Sequence, residues 1–260
     1  MITIKSPDEI ERMRRAGRIV AEVLALVENA LRPGIMTADL EAIAARHIRQ
    51  CGAKPSVLNY LGNRRYGSGP HAYPATTCIS IDEQVVHGIP GRRVIHEGEI
   101  VSVDVAAIWQ GWHADTARSW VAGGAEANPE AGRLVETTRL ALMAGIGAAR
   151  PGRHVEDISA AVEDAGREAG YDLLVGFVGH GIGRDMHEDP DVPNIRTGSP
   201  GPRLEPGMCF AIEPMLTAGS ADVRVAADGW TVVTKDRSLA AHFEHSIVIT
   251  PEGAEILTRL

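Results

Sequence analysis

An internal repeat places the strongest constraint on how this chain can fold. The segment "ALRPGIMTADLEAIAARHIRQCG" (30–52) aligns, 118 residues later, with "AARPGRHVEDISAAVEDAGREAG" (148–170). Both copies carry Arg-Pro-Gly ahead of a helix-like pattern, and Asp39 of the first copy matches Asp157 of the second. A solenoid needs three or more copies. The repeat therefore indicates two similar halves, at approximately 1–125 and 126–260, within one domain.

Shorter matches between the halves lie outside the helix-like segments. "IHEGEIVSVD" (95–104) and "LEPGMCFAIE" (204–213) each place a carboxylate six residues after a glycine, at the end of a strand-like run. The tripeptide "HGI" occurs at 87–89 and again at 180–182. If the halves pack about a pseudo-twofold axis, equivalent carboxylates and histidines would meet near that axis.

The first helices are clear from local signals. Ser6 and Glu9 have the spacing of a capping box, and Pro7 occupies the first helical position. Apolar and small residues then recur on one helical stripe until Arg-Pro-Gly at 32–34 ends it. Thr37 can cap a second helix, which should end near the glycine that closes the repeat.

Composition excludes several classes of function. The chain has 260 residues, 44% of them hydrophobic, and a net charge of -8, which argues against nucleic acid as the main ligand. No apolar run approaches the roughly 20 residues that a membrane helix needs, and no signal peptide is evident at the N-terminus. Cys51, Cys78 and Cys209 are too few and too scattered for a disulfide framework or a Cys-based zinc site. We therefore expect a cytoplasmic protein in a reducing compartment.

The stretch "GHGIGRDMHEDP" (179–190) sets His180 and His187 seven residues apart. On a helix they would share a face, but the glycines between them and Pro190 after them disfavour a helix. We therefore expect an extended segment whose histidines find partners elsewhere in the chain. Two loop histidines without a role are the alternative.

Two aspartates lie in a predicted hairpin. Within "IVSVDVAAIWQGWHADTARSW", valines alternate with Asp104, and "QG" is typical of a turn before Asp115. A loop with an even number of residues would put both carboxylates on one face of the sheet, whereas an odd loop would separate them. In the alternative, one aspartate is exposed and the other belongs to the turn.

Two glutamates of the second half lie in apolar strand-like runs. Glu213 ends "MCFAIE" and Glu244 lies in "HFEHSIVIT". A charge buried in such a strand is costly unless it is paired or coordinated; for Glu244 the alternative is an edge strand that exposes its polar face. Four carboxylates carry a charge that two divalent cations would neutralise, and this donor set has too much oxygen for a structural zinc site. The candidate metal ligands are Asp104, Asp115, His180, Glu213 and Glu244.

Together, several of these stretches resemble the type I methionine aminopeptidases over nearly the whole chain. The matching segments are "TTCISIDEQVVHGIP", "VSVDVAAIWQGWHADTARSW", "GHGIGRDMHEDP", "FAIEPM" and "DGWTVVTKDRSLAAHFEHSIVIT". The resemblance implies an α+β pita-bread fold, with 1–260 as a single catalytic domain and two pseudo-twofold-related halves around a dinuclear metal site. It implies removal of the initiator methionine from new polypeptides whose second residue is small.

The resemblance also assigns roles to the candidate ligands. Asp104 would chelate one metal, Asp115 and Glu244 would bridge both, and His180 and Glu213 would complete the other. The two ions would be divalent cobalt, manganese, iron or zinc, all of which suit mixed nitrogen and oxygen ligands. His180 and Glu213 lie only 33 residues apart, which leaves no room for the large insert of the type II enzymes.

The same resemblance predicts the catalytic and substrate-binding groups. Glu213 would take a proton from the attacking water, and His87 would stabilise the oxyanion or leaving group. His87 and His187 would contact the substrate around the scissile peptide. The predicted lining of the methionine pocket is Tyr60, Tyr73, Cys78, Met186 and Trp230.

Three departures from the family pattern concern the pocket. An insertion lies at about 63–71, Met186 stands where an aromatic residue is usual, and Val57 stands where a cysteine is frequent. Because methionine is flexible, Met186 predicts a pocket that admits norleucine or leucine more readily. The alternatives to this function are an X-Pro peptidase of the same fold and a non-catalytic pita-bread binding module. Expected partners are the N-termini of nascent polypeptides, with transient ribosome contact, no membrane, no specific nucleic acid, and a monomeric state.

Overall fold

The computed structural model describes residues 2–61 and 71–260. The predicted insertion therefore lies outside the described residues, apart from His71. None of the described helices is both long and apolar enough to cross a membrane. The described ranges contain four α-helices, α1 (Pro7–Ala30), α2 (Thr37–Gln50), α3 (Pro129–Ala148) and α4 (Val155–Glu168), and the 3-10 helix Ala125–Ala127.

The strands are short except for one long hairpin. Over the same described ranges they are β1 (Lys54–Pro55), β2 (Cys78–Ile81), β3 (Gln84–Val86), β4 (Ile100–Trp109), β5 (Trp112–Val121), β6 (Asp172–Leu173), β7 (Gly179–Gly181), β8 (Glu188–Val192), β9 (Cys209–Ile212), β10 (Met215–Thr217), β11 (Val223–Val225), β12 (Val232–Thr234), β13 (Ala240–His242), β14 (Glu244–Thr250) and β15 (Gly253–Ile256).

The sequence repeat is a structural repeat of helix α2 in helix α4. Both helices have 14 residues, and their first residues are 118 positions apart, as in the aligned segments. Asp39 accepts a hydrogen bond from the backbone N–H of Met36 at 3.1 Å, and Asp157 accepts one from that of His154 at 2.8 Å. Equivalent carboxylates therefore cap equivalent helix starts. The division into halves at about residue 125 remains our proposal.

The predicted start of α1 is also confirmed. Pro7 is its first residue, and the Glu9 carboxylate accepts a hydrogen bond from the Ser6 backbone N–H at 2.9 Å. This bond satisfies one of the N–H groups that a helix start leaves without a helical partner. The helix ends at Ala30, just ahead of the Arg-Pro-Gly segment.

One large sheet organises the molecule. Its strand order is β1-β4-β5-β14-β9-β7-β8, with β2 also pairing β4 and β15 also pairing β14. Strands β4 and β5 form the long hairpin, and Trp109 pairs with Trp112 across a turn of two residues, Gln110 and Gly111. Strand β14 joins this hairpin to β9, so strands more than 100 residues apart in the sequence lie side by side at the centre of one sheet.

Both helix pairs cover the same face of this sheet. Val103 of β4 lies in a core cluster with residues of α1 and α2, while Phe210 of β9 and Ile247 of β14 lie in a second cluster with residues of α3 and α4. Because side chains alternate along a strand, the neighbouring residues Asp104 and Ala211 point to the opposite face. The candidate metal ligands on these strands therefore lie on the face of the sheet that the helices do not cover.

Two three-stranded sheets add the remaining walls, in the orders β13-β10-β6 and β11-β12-β3. Val86 of β3 pairs with Val232 of β12, which brings His87 close to Trp230. Their ring centroids are 6.3 Å apart. His87 adopts a left-handed backbone conformation, with φ of 60°, which is costly for a residue other than glycine and tends to occur at functional sites.

Candidate metal centre

Strand register brings three of the predicted carboxylates together. Asp104 of β4 and Glu244 of β14 both pair with Ala117 of β5, one from each side. Asp115 precedes Ala117 by two residues on β5, so its side chain points to the same face. The turn has two residues, which is the even case of the two that the sequence left open, and Asp104 and Asp115 are diagonal neighbours on one face.

The other two candidates come from β7 and the end of β9. Glu213 directly follows β9, and His180 pairs with Ala211, which lies two residues before Glu213. The His180 Nε2 and Glu213 Oε1 atoms are 3.7 Å apart. Gly179 allows this close pairing, because a Cβ there would lie 2.4 Å from the carbonyl oxygen of Ala211. The prediction of an extended segment around His180 is therefore confirmed.

Burial sets the electrostatics of the cluster. Glu244 is 2% exposed and lies on an interior strand, so the alternative of an exposed edge strand is wrong. Burial, and secondarily neighbouring carboxylates, raise the pKa values of Asp104, Glu213 and Glu244 well above their usual range. Burial raises the pKa of Asp115 to about 6. Such carboxylates ionise together only with a compensating positive charge.

Unsatisfied oxygen atoms identify where that charge would be. Asp104 Oδ1, Asp115 Oδ1 and Glu244 Oε1 are buried and have no hydrogen-bond partner. Buried polar atoms normally have one, unless an ion or water supplies it. Donor atoms of Asp115, His180 and Glu244 all lie within 4.8 Å of one another. The residues therefore fit a site for divalent cations.

His180 presents the correct nitrogen to such a site. Its Nδ1 lies 2.9 Å from the Gly181 carbonyl oxygen, which can only accept, so Nδ1 carries the proton and Nε2 keeps its lone pair. Burial lowers the pKa of His180 to about 4. The imidazole is thus neutral at physiological pH, as a metal ligand must be.

One open cavity contains every residue that the sequence nominated for the site. The side chain of His187 is oriented there by Tyr60, whose hydroxyl lies 2.8 Å from His187 Nδ1. The Tyr73 and Trp230 rings meet edge to face at 5.4 Å, which forms an aromatic wall. The lining includes Tyr60, Tyr73, Cys78, His87, Asp104, Asp115, His180, Met186, His187, Glu213, Trp230 and Glu244.

The histidines of this cavity are neutral hydrogen-bonding groups rather than fixed charges. Burial lowers the pKa of His87 to about 4. Burial and the neighbouring histidines lower that of His187 to about 2. The rings of His187 and His180 are 4.4 Å apart, so His187 borders the candidate metal ligands. A buried polar group of this kind can donate to substrate oxygen atoms without competition from water.

Phe177 and His242 are among the residues of the site that the sequence did not predict. Phe177 lines the cavity and packs against His87, with ring centroids 5.8 Å apart. His242 is buried, its Nε2 has no hydrogen-bond partner, and that atom lies 3.8 Å from Glu213 Oε2. The position of His242, two residues before Glu244, was the available signal, because alternate residues of an extended chain face the same side.

Comparisons with known proteins agree with this geometry. The model of metallopeptidase family M24 matches residues 11–251. The methionine aminopeptidase of Clostridium acetobutylicum is 44% identical over 99% of both chains, and that of Aquifex aeolicus is 45% identical over 100% of this chain and 99% of the relative. The chain belongs to the methionine aminopeptidases of metallopeptidase family M24. The predicted family and hydrolase class are thereby confirmed.

Solved structures establish the fold. The crystal structure of methionine aminopeptidase from Thermotoga maritima matches with a TM-score of 0.93, 41% identity and complete coverage of both chains. A prolidase from Pyrococcus furiosus matches with a TM-score of 0.77 and 21% identity, over 99% of this chain and 65% of the prolidase. The latter likeness concerns the fold alone. The α+β pita-bread fold predicted from the resemblance is confirmed.

Proposed function

We propose that this methionine aminopeptidase removes the N-terminal methionine from polypeptides whose second residue is small, with two divalent metal ions in the described cluster. The unsatisfied carboxylate oxygen atoms beside a neutral His180 Nε2 carry this proposal. The identity of the relatives favours it over an X-Pro peptidase and over a non-catalytic binding module.

The donor set divides naturally between two ions. Asp104 would hold one ion, His180 and Glu213 the other, and Asp115 and Glu244 both. Cobalt, manganese, iron and zinc all suit this mixture of carboxylate and imidazole donors. When bound, the ions supply Lewis-acid polarisation of the scissile carbonyl and an attacking water of lowered pKa.

The protein groups around the ions would orient the peptide and move protons. Glu213 would accept the proton of the attacking water and pass it to the leaving amine. His87 and His187 would donate hydrogen bonds to the scissile peptide, where charge develops in the transition state. Tyr60 fixes the orientation of the His187 ring through their 2.8 Å contact, so the donor is in place before substrate binds.

The aromatic cavity wall explains a preference for methionine. A long thioether side chain packs well against aromatic edges and faces, and Tyr73 and Trp230 provide both orientations. Met186 is 7% exposed and lines the same cavity. The prediction that Met186 relaxes discrimination against leucine and norleucine stands.

The cellular setting completes the proposal. We infer that the substrates are the N-termini of nascent polypeptides. The enzyme would act in the cytoplasm as a monomer, in transient contact with the ribosome. Only a chain that starts at the cluster could place its α-amino group beside the carboxylates, which would make the enzyme an exopeptidase.

The test compares peptides and metals. After chelation and reloading with cobalt or manganese, the protein should release methionine from Met-Ala-Ser and should leave Ala-Pro-Ala intact. Asp104→Asn should bind less metal and lose at least 1,000-fold in kcat/KM, about 4 kcal/mol of transition-state stabilisation. Cleavage of Ala-Pro-Ala in preference to Met-Ala-Ser would contradict the proposal. So would full activity of the metal-free protein.

A further inference from the structure

A second cluster of metal-ligating side chains lies away from the cavity, between helices α1 and α2. Glu22 comes from α1, His47 from the last turn of α2, and Cys51 from the residue that caps α2. One donor atom from each lies within 4.8 Å of the others, and all three residues are partly exposed. None of them belongs to the predicted metal centre.

The distances are close to those of a tetrahedral zinc site. His47 Nε2 lies 2.9 Å from Glu22 Oε2 and 3.4 Å from Cys51 Sγ. Zinc–ligand bonds of the usual lengths place tetrahedral donor atoms roughly 3.3 to 3.8 Å apart. The nitrogen and sulfur therefore already have the required separation. The glutamate oxygen needs to withdraw by only a few tenths of an ångström.

The supporting contacts favour this arrangement. His47 and Cys51 are four residues apart, so both side chains project from the same face of the helix end. The second carboxylate oxygen of Glu22 accepts a hydrogen bond from Arg18 Nε at 3.2 Å, which leaves Oε2 directed at His47. Partial exposure gives an ion access and leaves the fourth coordination position to water.

The donor chemistry selects a class of ion. A thiolate and a carboxylate together carry two negative charges, which match a divalent cation, and an imidazole that binds a metal adds no charge. Sulfur and imidazole donors favour zinc and its neighbours over magnesium, calcium or manganese. The sequence argument against a Cys-based zinc site counted cysteines only, and it did not consider a mixed site assembled by helix packing.

We propose that Glu22, His47 and Cys51 form a second transition-metal site that binds Zn²⁺ and links α1 to α2. On binding, the Cys51 thiol loses its proton to water and forms a sulfur–zinc bond. In the metal-free protein His47 Nε2 donates its proton to the Glu22 carboxylate, which can only accept. On binding, that proton exchanges through water to Nδ1, and the Nε2 lone pair forms the bond to the ion. The carboxylate of Glu22 supplies the third protein ligand.

Such a link would act on the element that supports one wall of the cavity. Glu41 of α2 accepts hydrogen bonds from the backbone N–H groups of Thr76 at 2.6 Å and Thr77 at 3.0 Å. Cys78 of the cavity follows directly. Fixing α2 against α1 would therefore reduce the motion of this wall without adding a group to the cavity.

Cobalt provides a direct test, because the predicted catalytic ligands include no sulfur. Titration of the chelator-treated protein with Co²⁺ should give a thiolate-to-cobalt charge-transfer band in the near ultraviolet and one equivalent more bound metal than Cys51→Ser. One equivalent of Zn²⁺ should remove the band. His47→Gln should lack the band, and Glu22→Gln should bind this equivalent at least tenfold more weakly.

Glu28→Gln is the matched control, because it removes an exposed carboxylate of α1 that pairs with Arg118 instead. It should keep the band and the additional equivalent. Equal cobalt stoichiometry in the wild type and Cys51→Ser would overturn the proposal, as would a band that survives in Cys51→Ser. Methionine release by Cys51→Ser should remain at the wild-type level, so this test is independent of the proposed peptidase function.

Discussion

At the scale of single residues, His242 is the neighbour of the candidate ligands whose role is easiest to isolate. Its Nε2 is buried without a hydrogen-bond partner, 3.8 Å from Glu213 Oε2. A small rotation of the carboxylate would close that gap to a hydrogen bond, and groups that orient metal ligands in this way typically change metal affinity 10- to 100-fold. We therefore predict that His242→Leu weakens metal binding at the catalytic centre by at least tenfold, measured by calorimetric titration.

The conservative partner of this variant is His242→Gln. A glutamine amide can place an N–H group close to the position of imidazole Nε2, so this variant should retain metal affinity within about threefold of the wild type. If His242→Leu and His242→Gln bind metal equally well, His242 fills space and does not orient Glu213.

A site residue could be predicted from the sequence where a local pattern determined which way its side chain points. For Asp104 and Asp115 the hairpin pattern left only the parity of the turn open, and the two-residue turn of the structure places both on one face. Phe177 belongs to no repeating pattern, and its approach to His87 arises from packing between segments distant in sequence. A single sequence therefore gives no basis for predicting the contact between Phe177 and His87.

At the scale of elements, the site depends on how closely β7 approaches β9. A Cβ at Gly179 would lie 2.4 Å from the backbone carbonyl oxygen of Ala211, and backbone cannot move aside as a flexible side chain can. We predict that Gly179→Ala forces the strands apart, lowers the free energy of unfolding by about 1–3 kcal/mol, and weakens metal binding through His180. Urea denaturation and metal titration would measure the two effects.

Gly147 offers the matched control, because nothing lies within 4 Å of a Cβ built there and it sits inside α3. Gly147→Ala should leave metal affinity unchanged and raise stability by about 0.5–1 kcal/mol. A Gly179→Ala variant as stable as the wild type would show that β7 tolerates displacement from β9.

Elements were predictable where local signals and tertiary packing agreed. Helix α2 begins at Thr37, one residue earlier than a Thr37 cap predicts, because Met36 is its N-cap. Helix α4 begins at the aligned residue Val155. The strands β11 and β12, by contrast, have three residues each. In a segment that short, the alternation of polar and apolar residues is too brief to predict a strand. Its extended backbone depends on hydrogen bonds to the neighbouring strand. The left-handed backbone of His87 is likewise imposed by its surroundings.

At the scale of the whole molecule, the internal repeat predicted a cluster between two halves, and the central sheet contains it. Asp104 lies before the proposed boundary at about residue 125 and Glu213 after it. Strand β14 lies between β5, the hairpin partner of the strand that carries Asp104, and β9, which Glu213 follows. The sequence could not show that Glu22 and Cys51 meet, because their contact depends on how α1 crosses α2. No local sequence pattern predicts a long-range contact of this kind.

The cluster also makes a prediction about global stability. Four carboxylates buried on one face of the sheet oppose one another without a cation, and burial raises the pKa values of three of them well above their usual range. An ion that binds only the folded state at 100 times its Kd adds about 2.7 kcal/mol. For a chain of this size we expect Tm to rise by roughly 5 to 10 °C.

Glu244→Gln tests separately how the buried carboxylates and the bound ion affect Tm. Without metal, this variant should melt above the metal-free wild type, because one buried acid that resists ionisation has been replaced by a neutral amide. With metal, it should gain less than the wild type, because a ligand is missing. Both proteins should carry Cys51→Ser, so that the proposed second site contributes nothing. A metal-free Glu244→Gln protein that melts below its parent would show that the carboxylates are compatible in the folded protein without cations.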